Sequence, residues 1–278
     1  MKPALILRWT TKKKRSANKS LLRFLSTSPL PNPQHPLPPP DVRIRNLSRR
    51  GLIAEARQLF DELPRRDTIA WNSIISGYCH NGLVDEARSL FDSFAGRNVR
   101  TWTSLVSGYA KVGRLDEARR IFDSMPDRNA VSWNAMISGY IHNGNIRAAR
   151  KIFDEMPDKK CESWNAVITG YCHAHMMGEA RRLFEHMPER NLVSWTVMIT
   201  GYVQIGRFVE GWGIFRGMLR HGLSPDQSNF AAAVNVVVGV CDLTSLENLR
   251  TLAIKIGFER DVVIGTAILN AYTRDGKG

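Results

Sequence analysis

Five neutral polar residues recur at one place in this chain. Asn72, Thr103, Asn134, Asn165 and Thr196 stand 31 residues apart, each directly after a tryptophan: Trp71, Trp102, Trp133, Trp164 and Trp195. Their side chains form hydrogen bonds without carrying charge. Asparagine and threonine exchange between otherwise similar copies, a pattern that suits side chains reading a ligand unit by unit. A local role competes with this, since an asparagine after tryptophan can also cap or bond within its own hairpin. Other candidates for chemistry are few. Cys172-His173-Ala174-His175 is the one cluster with possible metal ligands, and its position favours the end of a helix over a metal site. Cys79, Cys161, Cys172 and Cys241 contain no C-x-x-C pair and suggest no disulfide framework. Cys79 and Cys172 occupy equivalent places in two copies, which favours packing. The sequence carries no Gly-rich phosphate loop and no recognisable catalytic triad. The chain is expected not to be an enzyme by itself and to need no cofactor.

The elements that must position these residues follow from the same period. Four equal intervals between tryptophans mean that one supersecondary unit is stacked several times. Its first half carries an apolar stripe at i, i+3, i+4 and i+7: Trp71, Ile74, Ile75 and Tyr78, repeated as Trp133, Met136, Ile137 and Tyr140. Asn81-Gly82, Gly113, Asn143-Gly144 and Gly206 then mark helix ends needing a left-handed residue. The second half carries another stripe, Ala87, Leu90, Phe91 and Phe94 in the first clear copy, with Asp85 and Glu86 in its first turn. Proline stops it at Met125-Pro126, Met156-Pro157 and Met187-Pro188. The unit is an antiparallel helical hairpin. One hairpin cannot cover both stripes, so neighbours must stack into an all-α superhelical solenoid.

The reading divides the array at residues 41–278 into a degenerate unit 41–67, four units of 31 residues (68–98, 99–129, 130–160, 161–191), two longer units (192–226, 227–261) and a partial one, 262–278. The first helix of that last unit has no second helix to follow it. Such an end should fray, and it keeps open the reading that the chain is a truncated gene product.

The pattern V-S-W-N-A-M-I-S-G-Y at Val131–Tyr140, followed by A-R-K-I-F-D-E-M-P at Ala149–Pro157, resembles the pentatricopeptide repeat family. The mixture of 31- and 35-residue units resembles its plant PLS subclass. The resemblance implies a right-handed superhelix of helix-turn-helix repeats. It also implies binding of single-stranded RNA, one base per repeat, read by two or three side chains. The family's readers are the fifth and last residues of each repeat, and an apolar second residue helps to hold the base. Carried onto this sequence, the pairs are Asn72 with Asn98, Thr103 with Asn129, Asn134 with Lys160, Asn165 with Asn191, and Thr196 with Asp226. Family preference links threonine to purines and asparagine to pyrimidines. A terminal aspartate only accepts and suits guanine and uracil, whereas asparagine can also donate and suits adenine and cytosine. The implied reading is 5′-C(or U), A, undefined, C(or U), G-3′. Lys160 is not a usual reader, and Arg100 and Glu162 stand at second positions where an apolar residue is usual. Relatives of this subclass often end in a zinc cytidine-deaminase domain, whose H-x-E and P-C-x-x-C signature this sequence lacks. The implied activity is the specification of C-to-U editing sites with a deaminase or editing factor acting in trans. RNA stabilisation or splicing is the neighbouring alternative, and a protein-binding scaffold is the alternative of another class.

The formal net charge of +13 is concentrated near the N-terminus. Residues 1–40 hold Lys2, Arg8, Lys12, Lys13, Lys14, Arg15, Lys19 and Arg23 and no acidic residue; without these eight the charge falls to +5. A mildly basic array suits a groove that attracts phosphate. The leader has the composition of an organellar transit peptide, expected over 1–25, with mitochondrion favoured over chloroplast. A Pro-rich linker is expected over 26–40. The apolar run Phe230–Cys241 is too short to span a membrane. The expected protein is monomeric and not membrane-bound.

Overall fold

The computed structural model describes residues 38–240, 243–258 and 260–275. The transit-peptide reading, residues 26–37 of the linker, Cys241 and the last three residues lie outside the described residues. Among the described residues there are helices and no strands. The helices are α1 (Pro40–Arg49), α2 (Ile53–Asp61), α3 (Thr68–His80), α4 (Val84–Ser93), α5 (Val99–Lys111), α6 (Leu115–Asp123), α7 (Ala130–His142) and α8 (Ile146–Glu155). They continue with α9 (Cys161–His173), α10 (Met177–His186), α11 (Leu192–Gln204), α12 (Phe208–Arg220), α13 (Gln227–Val240), α14 (Leu243–Lys255) and α15 (Val262–Asp275). Odd-numbered helices are first helices of the hairpins and even-numbered ones are second helices. The expected all-α solenoid is what the chain forms.

Successive first helices pack on one another along the array, from α1 on α3 to α13 on α15. Successive second helices have no close backbone packing on one another, although an Arg119–Glu155 ion pair at 3.3 Å bridges α6 and α8; each packs on the first helices beside it. A row tied together on one side curves towards that side, so the first helices form the inner face. The close approach depends on the glycine of each S-G-Y or T-G-Y. A Cβ on Gly108 would lie 2.7 Å from the Cys79 Sγ of the preceding first helix, and one on Gly139 would lie 2.6 Å from the Ala110 Cβ. Cys79 and Cys172 thus serve as packing residues of this seam, and burial pushes their thiols up to about 12 and about 11.

The tryptophans join repeats. Trp71, Trp102, Trp133, Trp164 and Trp195 set their rings edge-on against Phe60, Phe91, Phe122, Phe153 and Phe184 of the preceding second helix, with centroids 4.7–4.9 Å apart. They are core residues, half-buried or buried. A feature not read from the sequence completes this junction. Arg66, Arg97, Arg128, Lys159 and Arg190 recur at the same period, and each cation lies 4.9–5.4 Å from the centroid of the matching phenylalanine ring. Each also donates to carbonyls at the end of its second helix. Arg128, for example, reaches Phe122 O at 3.0 Å and Asp123 O at 2.8 Å. These cations occupy acceptors that a helix C-terminus leaves without partners.

The turns between first and second helices hold a left-handed residue, as expected, at Gly51, Gly82, Gly113, Gly144 and Gly206. His175 fills that place in the fourth 31-residue copy with φ 57°. The Cys-His-Ala-His stretch is therefore the end of α9 and its turn. In the unit 192–226 most of the added length goes into α12, which has 13 residues where α10 has 10.

Candidate nucleic-acid interface

Every predicted reader lies at a junction between two first helices. The last residue of each repeat is the N-cap of the next first helix. Asn98, Asn129 and Asn191 accept the backbone N–H groups of Thr101, Ser132 and Ser194, each at 3.0 Å. Asp226 accepts from Asn229 N at 2.8 Å. Asn98 and Asn129 form full capping boxes with Thr101 and Ser132. Lys160 breaks the series. It makes no cap to α9; its Nζ pairs with Asp158 at 2.9 Å instead, and that carboxylate raises the ammonium's affinity for its proton.

The fifth residues are more buried than their polarity suggests. Asn72, Thr103 and Asn165 are buried, and Asn134 and Thr196 half-buried. The structure brings some predicted pairs together. Asn165 Nδ2 donates to Asn191 Oδ1 at 3.3 Å. Asn72 and Asn98 are linked through the Thr101 hydroxyl, and Thr196 and Asp226 through Asn229. No hydrogen bond or ion pair links Thr103 to Asn129 or Asn134 to Lys160. Thr103 and Thr196 donate to their own helix, at Val99 O (2.7 Å) and Leu192 O (2.9 Å), so the local bonding weighed for these positions does occur. A threonine hydroxyl used this way has only lone pairs left to offer a ligand.

Second-position residues do the opposite of what apolar side chains normally do. Ile69, Val131 and Val193 are 55%, 63% and 56% exposed, on the inner face and in register. Arg100 and Glu162 hold the intervening places and are also exposed. These residues flank the readers. A cavity of about 380 Å³ contains Thr103 between Arg100 and Val131, with His80 and Lys111 at its edge. One of about 300 Å³ contains Thr196 with Val193, His173 and Asp226. One of about 310 Å³ contains Asn72 with Arg45, Arg49, His80 and Arg100. Two further ladders on the inner face were not read from the sequence, although the 31-residue period carries them. Ser76, Ser107, Ser138, Thr169 and Thr200 present hydroxyls; His80, Lys111, His142 and His173 present exposed nitrogen-bearing side chains at the helix ends. Among the described residues, no cluster of three or more metal-ligating side chains occurs, and no helix is long and apolar enough to cross a membrane.

Known proteins share this architecture. Sequence models described as PPR repeat match residues 69–99, 97–126, 162–192 and 193–223, and one described as PPR repeat family matches 128–163. The chain belongs to the pentatricopeptide repeat family. A similar protein is the mitochondrial pentatricopeptide repeat-containing protein At2g35030 of Arabidopsis thaliana, 50% identical over a segment covering 15% of this chain and 7% of that protein. A longer match joins it to the mitochondrial protein At5g46460 of the same plant, 33% identical over 23% of this chain and 9% of that one. These matches span under a tenth of either relative. The crystal structure of PPR10 from maize superposes with a TM-score of 0.59 at 20% identity, covering 92% of this chain and 38% of that one. PPR10 has also been solved in complex with an 18-nt psaJ RNA element; that structure gives a TM-score of 0.58 at 18% identity, over 88% of this chain and 38% of the other.

Proposed function

We propose that this protein binds single-stranded RNA along the row of first helices, one base to each junction, and that it does so in a plant organelle. The supporting observation is the exposed, in-register series Ile69, Val131 and Val193, of which Val131 and Val193 line cavities that hold the polar fifth residues Thr103 and Thr196. Apolar side chains kept in water, each next to a hydrogen-bonding group and near cations, suit flat bases on a charged backbone. The family membership and the RNA complex of PPR10 support the same reading. The pairs Asn72/Asn98, Thr103/Asn129, Asn165/Asn191 and Thr196/Asp226 then read 5′-C(or U), A, undefined, C(or U), G-3′. Lys160 leaves its unit undefined and offers an ammonium to phosphate.

The fully acid-free leader with its eight basic residues supports delivery to the mitochondrion. The mixture of 31- and 35-residue units supports the PLS subclass. On that reading the protein specifies C-to-U editing sites and acts as a binding scaffold, with a deaminase supplied in trans. The test is binding of the full chain to short RNAs that differ only at the base assigned to repeat 99–129. The wild type is expected to prefer adenine there and Thr103→Asn to prefer cytosine. Affinity is expected to fall steeply with salt. If neither protein binds these RNAs above its affinity for unrelated sequence, the base-reading proposal fails, and the array is a protein-binding scaffold or a fragment too short to work alone.

A further inference from the structure

Two repeats carry the same reader pair, Asn with Asn, and the family reading treats them alike. Their amides are held differently. We propose that the third residue of the following repeat is a positioning residue that sets which atom of the fifth-position asparagine faces the base, so that repeat 68–98 selects cytosine over uracil and repeat 161–191 does not. The proposal rests on the RNA reading above and sharpens it.

The third residues are Ala70, Thr101, Ser132, Ser163, Ser194 and Asn229, and the five polar ones are fully buried. They face no groove. Thr101 Oγ1 accepts from Asn98 N at 3.2 Å. Its nearest acceptor is Asn72 Oδ1, at 2.7 Å, with Asn98 Oδ1 at 3.0 Å. A hydroxyl can donate only to an acceptor, so the Asn72 amide must present its oxygen inward. Its Nδ2 is then left for the cavity of about 310 Å³ that Asn72 lines. Asn98 is held the same way, because its Oδ1 takes the Thr101 backbone N–H at 3.0 Å. Both readers of this repeat thus offer N–H donors. Cytosine answers with adjoining acceptors at O2 and N3. Uracil places an N3–H donor between its carbonyls and sets donor against donor.

At repeat 161–191 the equivalent hydroxyl is turned away. Ser194 Oγ donates to the backbone Asn191 O at 2.7 Å and makes no bond to Asn165. The Asn165 amide is instead fixed by donating to Asn191 Oδ1 at 3.3 Å, and its Oδ1 is buried with no partner. Asn165 thus has its Nδ2 engaged by Asn191 and its Oδ1 closed off from the groove, so this pair lacks the free fifth-position donor that sets repeat 68–98 against uracil N3–H. Threonine and serine differ in the methyl group that restricts Thr101 to fewer rotamers; serine rotates freely to the carbonyl.

The same device recurs at Thr196. Asn229 Nδ2 donates to its hydroxyl oxygen and to Leu192 O. Ser132 supplies the contrast, since its hydroxyl donates to the backbone Asn129 O at 2.9 Å and makes no bond to the fifth-position Thr103.

The experiment measures the full chain on RNAs that differ by C or U at the base opposite repeat 68–98 or repeat 161–191. Wild type is expected to favour C about fivefold at the first position, the value of roughly one hydrogen bond, and to show less than about twofold discrimination at the second. Thr101→Val keeps the side-chain shape, removes the hydroxyl and is expected to bring the first ratio within about twofold. Thr101→Ser tests the methyl, and Ser194→Thr should create a C preference at the second position. Ser132→Ala removes a capping box of the same kind and should leave every base ratio unchanged. A purely structural role for the third residue predicts lower affinity for both bases with an unchanged ratio. That result in Thr101→Val overturns the proposal while the RNA reading stands; where that variant fails to fold, an unchanged ratio in Ser194→Thr overturns it. A wild type with no base preference at any repeat overturns the RNA reading itself.

Discussion

Removing the guanidinium of Arg128 tests whether the periodic cations of the second helices hold the solenoid together. Arg128 donates two hydrogen bonds to the last carbonyls of α6, at 3.0 and 2.8 Å, and lies 4.9 Å from the Phe122 ring centroid and 5.9 Å from that of Trp133. It therefore ties the helix end to the aromatic contact between two repeats. Each hydrogen bond contributes about 1 kcal/mol net at a solvated site, and the cation–π contact adds about 0.5 kcal/mol where exposed. Arg128→Ala is expected to cost about 2 kcal/mol, which lowers Tm by roughly 4–8 °C for a chain of this size. Arg128→Lys should cost under about half of that. Lys159 already fills the same place, donating to Asp154 O at 3.2 Å and Met156 O at 2.7 Å. The control is Arg57→Ala, which breaks an exposed i,i+4 pair with Asp61 at 2.7 Å and should cost about 0.5 kcal/mol or less. Urea unfolding followed by circular dichroism measures all three. Hydrogen exchange should localise the Arg128→Ala loss to α6 and α7, because solenoid stability is set by nearest neighbours. Equal costs for Arg128→Ala and Arg57→Ala, or a loss spread evenly over the array, would refute the reasoning.

Other perturbations separate packing from propensity. Gly108→Ala places a Cβ 2.7 Å from Cys79 Sγ and should destabilise by about 1–3 kcal/mol. Gly213→Ala in α12, where a Cβ meets nothing within 4 Å, should stabilise by about 0.5–1 kcal/mol; thermal melts of the two should shift in opposite directions. His175→Gly relieves a side chain at φ 57° and should add about 1 kcal/mol in the same assay. Alkylation of the folded protein at pH 8 followed by mass spectrometry should leave Cys79 and Cys172 intact. Their thiols, raised to about 12 and about 11 by burial, hold almost no thiolate there, whereas the half-buried Cys161 should react faster.

The hairpin, its stripes and its stacking were legible because each is a local period. Trp, Tyr and Phe at fixed spacing state which face is buried, and the glycine or Met-Pro signals state where a helix stops. The arginine ladder was equally periodic, yet charge pattern alone does not show that Arg66, Arg97 and Arg128 turn back onto carbonyls at the end of the helix that precedes them. His175 escaped the glycine pattern because an L-residue can occupy a left-handed turn at a cost. The candidate site was half legible. The fifth and last positions followed from family resemblance. The third position did not, because a buried Ser or Thr in a helix reads as ordinary packing until its hydroxyl is seen 2.7 Å from Asn72 Oδ1. The exposure of Ile69, Val131 and Val193 likewise needed the row of first helices to be in place.

Lys160 shows how closely capping and the proposed reading are joined. At five of the six junctions from Asp67 to Asp226 the last residue accepts backbone N–H groups of the next helix; at Lys160 it cannot, since an ammonium has no acceptor. Two polar atoms beside it are without partners. Ser163 Oγ and Asn134 Oδ1, the atoms equivalent to the bonded Thr101 Oγ1 and Asn72 Oδ1, are buried without a partner. Lys160→Asn restores the oxygen that the other junctions use. It should stabilise the chain by about 1 kcal/mol through the cap alone, and urea unfolding measures that gain. It also removes the ion pair to Asp158, but both partners are largely exposed, so the loss there is small. The same substitution gives repeat 130–160 the reader pair of repeat 68–98, and on the RNA reading a pyrimidine preference should appear at a base that the wild type leaves undefined. A gain in stability without any new preference would show that the last residue serves only the helix that follows it.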